Sequence, residues 1–370
     1  MNRKLAYRPT VRLDIILLLA VLMLVPAKLV AQQEEGSLRI VFAGDIMGHV
    51  PLHNAALQGD GTYDYEPCFR HVKDYISNAD IAVANLEVTL AGKPYTGYPH
   101  FSAPDALAAA ARDAGFDILT TANNHCMDKG RLGLERTLRQ LDSLGIEHLG
   151  TYTDREQWRT EHPLIVEQGG ITVALLCYTY GTNGISVTRP NIVNMIDTAV
   201  MLRDLRVARE WGAEFVIAIM HWGIEYQRKG NAEQAAVARW LLDHGCNAVI
   251  GGHPHVVQNI VPDINPNNDR QNELVVYSMG NLLSNQRDLG TDGGIMVELE
   301  LTKREGIVTL EKYSYLPYWV HRTWVDGHRQ YLILPAEKAL AEPEKYQLGS
   351  SDINALKRFY EDVLKRVEGR

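Results

Sequence analysis

Cysteine is scarce in this sequence. Its 370 residues hold four, Cys68, Cys126, Cys177 and Cys246, with no Cys-x-x-Cys pair. That excludes a zinc ribbon. One or two disulfides are open to an exported chain, but the spacing pairs none of them. Cys177 and Cys246 sit beside apolar segments and read as buried small hydrophobes. Basic charge is also short: 37 Lys and Arg against 45 Asp and Glu give a net charge of −8. Residues 1–31 hold five of the basic residues and one acidic residue, so the remainder carries 32 against 44, or −12. This balance runs against a basic stripe for duplex binding, and no nucleic-acid partner is expected. An acidic protein can still hold an anionic substrate if it has a local positive centre, such as a metal ion. Internal repeats and low-complexity linkers are missing. The unbroken apolar run Ile15–Val25 has eleven residues, well short of the ~20 that a spanning helix needs.

That run belongs to an address. Arg3, Lys4, Arg8 and Arg12 precede it, Pro26 ends it, and Leu29-Val30-Ala31 offers small or apolar residues before a cut. The pattern predicts a signal peptide over residues 1–31, cleaved after Ala31, and a mature protein that is periplasmic or extracellular. Left uncut, the segment would anchor the protein to the membrane. No cysteine lies near the cut, so a lipid-modified N-terminus is not supported.

Apolar residues make up 46% and charged residues 22%, which supports a packed core and excludes wholesale disorder. The length suits one large α/β layer fold. Strands are predicted over 38–43, 81–84, 116–122, 171–177, 215–220, 248–250 and 274–278. Helices are predicted over 104–114, 132–144, 200–211 and 232–244, with Gly115, Gly145 and Gly245 as stops. Segments 295–301 and 307–315 read as a final antiparallel pair. The alternation implies a sheet covered by helices on both sides. Residues 37–320 are expected to form one domain and 321–370 a C-terminal extension, of which 333–370 reads as charged, mostly helical and exposed.

Polar clusters recur just after the predicted strands, where open α/β sheets bind ligands. Gly252-His253-Pro254-His255 holds two imidazoles. The residue before proline is pushed to an extended backbone, and residues i and i+2 of an extended segment project to one side, so both rings can reach one centre. His221 follows the 215–220 strand, Asp45 follows Gly44, Glu87 ends Asn85-Leu86-Glu87, and Asn124 and His125 end a third strand. Each alone has an ordinary reading: a core histidine, a turn carboxylate, a surface charge, a polar turn. Together they form a metal site in which Asp45 and Glu87 supply anionic oxygen, Asn124 amide oxygen, and His221, His253 and His255 nitrogen. That donor set suits one or two manganese, iron or zinc ions better than calcium.

The ordered motifs Gly44-Asp45-Ile46-Met47, Asn85-Leu86-Glu87, Ala122-Asn123-Asn124-His125-Cys126-Met127-Asp128-Lys129-Gly130, His221-Trp222-Gly223-Ile224-Glu225-Tyr226, Gly251-Gly252-His253-Pro254-His255-Val256 and Ser278-Met279-Gly280-Asn281 resemble the CapA family of capsule-synthesis proteins. That family is associated with poly-γ-glutamate capsule production and export, and is similar in fold to the calcineurin-like metallophosphoesterases. The resemblance spans roughly residues 37–300. It implies a sandwich of β-sheets flanked by helices, with the metal site at the carboxyl ends of the strands. By the same resemblance Asp45 is the first carboxylate ligand and Glu87 bridges two ions. Asn124, His221, His253 and His255 complete the ligands. His125 is a non-ligand histidine that protonates a leaving group, and Asp128 orients it or caps the following helix.

One position departs from the phosphoesterase pattern. Met47 stands where that superfamily has a histidine, and a thioether is a poor ligand for a hard ion. His49 lies two residues further on and could take the vacant role; a histidine at a helix start is the alternative. His100, His148, His162 and His328 have no such context and read as surface or core residues. The aromatic residues of 313–324 are expected to pack the terminal strands, with an exposed strip for polymer contact as the alternative.

Two readings of function follow. The first is an exported metal-dependent hydrolase acting on a phosphorylated substrate, or on an amide or ester of an anionic cell-envelope polymer. The second is a non-catalytic envelope protein that binds such a polymer or a polymer-synthase complex through the same site.

Overall fold

The first strand, Gly36–Ile46, serves two cores at once. Leu38, Ile40 and Phe42 face a cluster shared with Val173, Leu175 and Ile217, while Val41 and Ala43 face helices. Successive side chains of a strand point to opposite faces, so an unbroken apolar run means a strand covered on both sides. The strand Phe215–His221 repeats this. Phe215, Ile217 and Ile219 join the first cluster, and Val216, Ala218 and Met220 pack under the helices Thr198–Glu210 and Ala232–Asp243. The computed structural model describes residues 35–262, 273–288, 290–325 and 327–368. The predicted signal segment lies outside them.

Two sheets therefore lie face to face, with helices outside. The first has eight strands. Seven run in the order His328–Pro335, Ile307–Val325, Gly293–Arg304, Gly36–Ile46, Ile81–Leu86, Ile118–Thr120 and Glu147–Leu149, and Asn281–Leu283 pairs with the end of the Gly36–Ile46 strand. The second runs Ile260–Pro262, Leu274–Val276, Ala248–Gly252, Phe215–His221, Ile171–Thr179, Leu164–Gln168. The alternation of strands and helices implied a single covered sheet; the chain instead divides its strands between two. The central strands of each sheet are parallel, so their carboxyl ends share one edge of the sandwich.

The predicted helices form within about two residues of their expected bounds, as Ala106–Ala114, Gly130–Leu144, Thr198–Glu210 and Ala232–Asp243. The segment from 321 onward is not an exposed extension. The expected boundary at 320 falls inside the Ile307–Val325 strand, His328–Pro335 extends the first sheet, and Leu356, Phe359 and Val363 of the helix Ser350–Val367 are buried in the inter-sheet core. Spacings of three and four residues put them on one helix face; the surrounding charges hide that stripe in the sequence. Tyr318 and Trp319 are buried as expected of terminal-strand packing, whereas Trp324 is exposed. All four cysteines are buried and unpaired. His148 and His162 are buried, His100 and His328 exposed.

His162 anchors a polar cluster between strand and helix. Asp204 Oδ2 lies 2.9 Å from His162 Nε2 and 2.8 Å from the Tyr178 hydroxyl, and its Oδ1 lies 2.6 Å from Arg203 Nη2. An ionised carboxylate only accepts, so all three neighbours donate. Burial would raise the Asp204 carboxyl, but His162, Arg203 and Tyr178 more than offset it and hold it below the usual carboxylate range. Asp204→Ala strands a buried imidazole and hydroxyl, and is expected to cost about 3–5 kcal/mol in urea unfolding at pH 7. A depressed carboxyl contributes fully above its unfolded value and loses that contribution as pH falls through its lowered folded value. The gap between wild type and variant should therefore narrow in acid.

Candidate metal centre

Close backbone approach sets the position of Asp45. A Cβ at Gly44 would stand 1.9 Å from the Gly280 carbonyl oxygen, and one at Gly251 2.1 Å from that of Tyr277; only glycine permits either approach. Asp45 then sits fully buried at the strand end, its Oδ1 taking a 2.7 Å hydrogen bond from Asn85 Nδ2. Glu87 follows the second strand, tied by its N–H to the Ile46 carbonyl at 3.0 Å. His221 closes the Phe215–His221 strand. His253 and His255 follow Ala248–Gly252, with backbone φ of +95° and +58°. The extended backbone expected from the proline rule is thus not adopted. A left-handed turn brings the rings together instead, with centroids 5.9 Å apart. Such conformations are costly for residues with a Cβ and cluster at functional sites.

The six residues expected at the centre meet. Glu87 Oε1 is 3.6 Å from His221 Nε2 and 3.9 Å from His255 Nε2. His255 Nδ1 is 3.4 Å from Asp45 Oδ2, and Asn124 Oδ1 is 2.8 Å from His221 Nε2. Glu87, His221 and His253 form one group whose donor atoms all lie within 4.8 Å of one another, and Asp45, Glu87 and His255 form a second. Glu87 belongs to both. Both its oxygens are buried without a hydrogen-bond partner, and so is His253 Nδ1. Buried polar atoms are ordinarily paired. Orphaned carboxylate and imidazole donors converging on one point fit a divalent transition-metal ion.

The electrostatics of these groups diverge. Burial would raise the Asp45 carboxyl, but hydrogen bonding to His255 and the charges of His221 and His255 hold it well below the usual range. Burial, with His221 and His255 beside it, pushes His253 down to about 2. Burial opposes the charged form of His255 too, yet the carboxylates of Glu87 and Asp45 push it up to about 9. Groups pushed in opposite directions within one cleft mark a functional-site candidate.

His125 and Asp128 stand beside this cluster. His125 Nδ1 is 2.8 Å from Asp128 Oδ2, which also accepts the Phe101 N–H at 2.7 Å. Asn123 Oδ1 accepts the His125 N–H at 3.1 Å. Facing a carboxylate, Nδ1 carries the proton and Nε2 is left to exchange one. Burial works against protonation of His125, and Asp128 and Glu87 outweigh it and raise its pKa. The following helix has Lys129 at its N-cap and no side-chain cap, so Asp128 orients His125 rather than capping.

Met47 is buried in the apolar cluster beneath the helices. His49 stands at the N-cap of the Val50–Ala56 helix, its Nδ1 3.3 Å from the Asn285 N–H. Burial and neighbouring histidines push it down to about 4. None of the donor groups among the described residues includes His49. Three contributors were read neither as ligands nor as catalytic groups in the sequence. Asn85 holds Asp45 and accepts from Asn123 at 3.1 Å. Asn281 has its Oδ1 3.0 Å from His255 Nδ1 and donates to Gln286 Oε1 and the Thr291 carbonyl, both at 2.8 Å. Tyr180, half-exposed, packs its ring 4.5 Å from that of His253. Asn85 and Asn281 stood inside the quoted motifs; no sequence signal marks Tyr180.

Residues 39–286 match the family model described as bacterial capsule synthesis protein PGA_cap, a span that includes every residue of the centre. The chain belongs to the PGA_cap family. It is 27% identical over 285 residues to the capsule biosynthesis protein CapA of Bacillus anthracis, covering 74% of this chain and 66% of that one. It is 25% identical over 279 residues to the PGA biosynthesis protein CapA of Bacillus subtilis, covering 71% and 67%. The PGA_cap chain thus spans about two thirds of the length of these relatives. Among solved structures, Haemophilus influenzae NAD nucleotidase aligns over 89% of this chain and 63% of its own, with a TM-score of 0.51 and 15% identity. The two-sheet sandwich implied by the resemblance to calcineurin-like metallophosphoesterases is the fold this PGA_cap chain adopts.

Proposed function

We propose that this capsule-family protein is an exported, metal-dependent hydrolase. Its substrate would be a phosphoester, or else an amide or ester of an anionic cell-envelope polymer such as one of the poly-γ-glutamate kind. The observation that carries this reading is the His125–Asp128 pair, 2.8 Å apart, beside buried Glu87. A site that only holds an ion has no need of an oriented proton donor.

Glu87, Asn124, His221 and His253 would hold one ion, and Asp45, Glu87 and His255 the other. Such ions supply an acidified water and offset the negative charge that builds on the substrate. The chain's own residues do the rest. Asn85 fixes the Asp45 carboxylate, and Asn281 fixes the ring of His255. Asp128 holds the His125 ring through Nδ1 and favours its charged form, whose Nε2 proton can pass to the departing group. Tyr180 walls the imidazoles on the open side.

Met47 favours the second reading, because it leaves the Asp45 group with three protein donors. In that reading the protein binds the polymer, or a synthase complex, without turnover. The test is a screen of the purified protein from Gln32 onward, loaded with manganese, iron or zinc, against phosphoesters and γ-glutamyl peptides. Turnover that disappears with a chelator is expected. Ion binding and polymer binding with no turnover under any ion would sink the hydrolase.

A further inference from the structure

The two donor groups are unequal. One has Glu87, His221 and His253 with Asn124 beside them; the other has only Asp45, Glu87 and His255, with Met47 turned into the apolar core. A third set of donor atoms within 4.8 Å of one another consists of Glu225, His253 and His255. Glu225 is exposed, on the loop that follows His221, while both histidines are buried.

The loop is built to bring Glu225 there. Tyr226 donates its backbone N–H to the Pro254 carbonyl, between the two histidines, at 2.8 Å. To do so it adopts a φ of +67°, a left-handed conformation unusual for a residue with a bulky side chain. Its hydroxyl takes a 3.3 Å hydrogen bond from Gln286 Nε2, and Gln286 in turn accepts from Asn281, which holds His255. The far end is pinned by Gln234, whose side chain caps Asn231 and donates to Gln258 at 3.0 Å. Among the described residues no Lys or Arg pairs with Glu225.

From this geometry we propose that Glu225 is a further protein ligand of the ion held by Asp45, Glu87 and His255, making up for the missing donor at Met47. The proposal rests on the metal-centre reading above. A carboxylate suits a hard or borderline divalent ion better than the thioether it replaces. Entering from the solvent side, it also leaves the buried donors undisturbed.

Manganese titration of wild type, Glu225→Gln, Glu225→Asp and the control Glu233→Gln tests it, read by bound-ion stoichiometry and electron paramagnetic resonance. Glu233 is an exposed glutamate on the next helix. Wild type and the control should bind two ions alike. Glu225→Gln should keep the tighter ion and bind the weaker one ~10–100-fold less tightly, with Glu225→Asp between them. The ion-free unfolding midpoint should not move, since the side chain is exposed. Two ions bound by Glu225→Gln with wild-type affinity would overturn the ligand role and leave the metal centre standing. A wild type that binds no manganese would overturn both.

Discussion

Glu87→Gln should leave the centre unable to hold either of its expected ions. Glu87 belongs to both main donor groups, and its oxygens, unlike those of Asp45, have no hydrogen-bond partner in the protein. Glutamine keeps the size but gives up the charge and one acceptor oxygen. The expected affinity loss exceeds ~100-fold, since even residues that merely support a ligand cost 10–100-fold when lost. Elemental analysis of protein purified in parallel with wild type should show ion content at background. Without ions two effects oppose each other: the buried carboxylate lacks hydrogen bonds, which is costly, but it also supports the charged form of buried His255. In excess chelator the variant should therefore unfold in urea close to wild type. Retention of both ions by Glu87→Gln would mean that Glu87 does not bridge.

His125→Ala should separate binding from chemistry. The ring is held by Asp128 and packs edge-on against Phe101, centroids 4.7 Å apart, and it belongs to neither main donor group. Ion content should therefore stay at the wild-type level. Turnover should fall by ~10²–10⁴, the usual worth of a positioned proton donor. The loss should depend on the leaving group. A substrate that releases an already acidic alcohol needs little protonation and should be spared, and one that releases an alkoxide or amine should suffer the full effect. An equal loss across leaving groups would assign His125 to positioning and not to proton transfer. Asp128→Asn should follow the same leaving-group trend more weakly, because an amide can hold the ring but does not favour its charged form.

The centre was legible because its donors fall at the ends of apolar runs, where a short polar word follows a strand. Asp45, Glu87, Asn124, His221, His253 and His255 are all found that way. The architecture around them was harder to read. A strand covered on both faces looks alike whether its second face meets a helix or another sheet, so a single sheet and a sandwich share one pattern. The terminal strands and helices were obscured for another reason: charged residues on the solvent face of Ser350–Val367 outweigh the apolar face in any composition count. In Gly252-His253-Pro254-His255 the rings converge as expected, but through left-handed residues that local rules do not anticipate. Glu225 acquires its position only from the Tyr226–Pro254 hydrogen bond between two loops, which no spacing within either loop reveals.

The donors come from both layers of the sandwich. Asp45 sits at the end of one strand of the first sheet and Glu87 follows another, whereas His221 ends a strand of the second sheet and His253 and His255 follow its neighbour. His253 and Asp45, whose backbone and side chain approach to 3.3 Å, are 208 residues apart in the sequence. An ion gripped there is a rivet between the layers, in a chain whose cysteines form no such link. Ligands that bind only the folded state stabilise it by mass action, by about 2.7 kcal/mol at a hundred times the dissociation constant. Scarcity of metal would therefore loosen the two layers from each other, and the protein's lifetime against proteases would follow the ion supply of its surroundings.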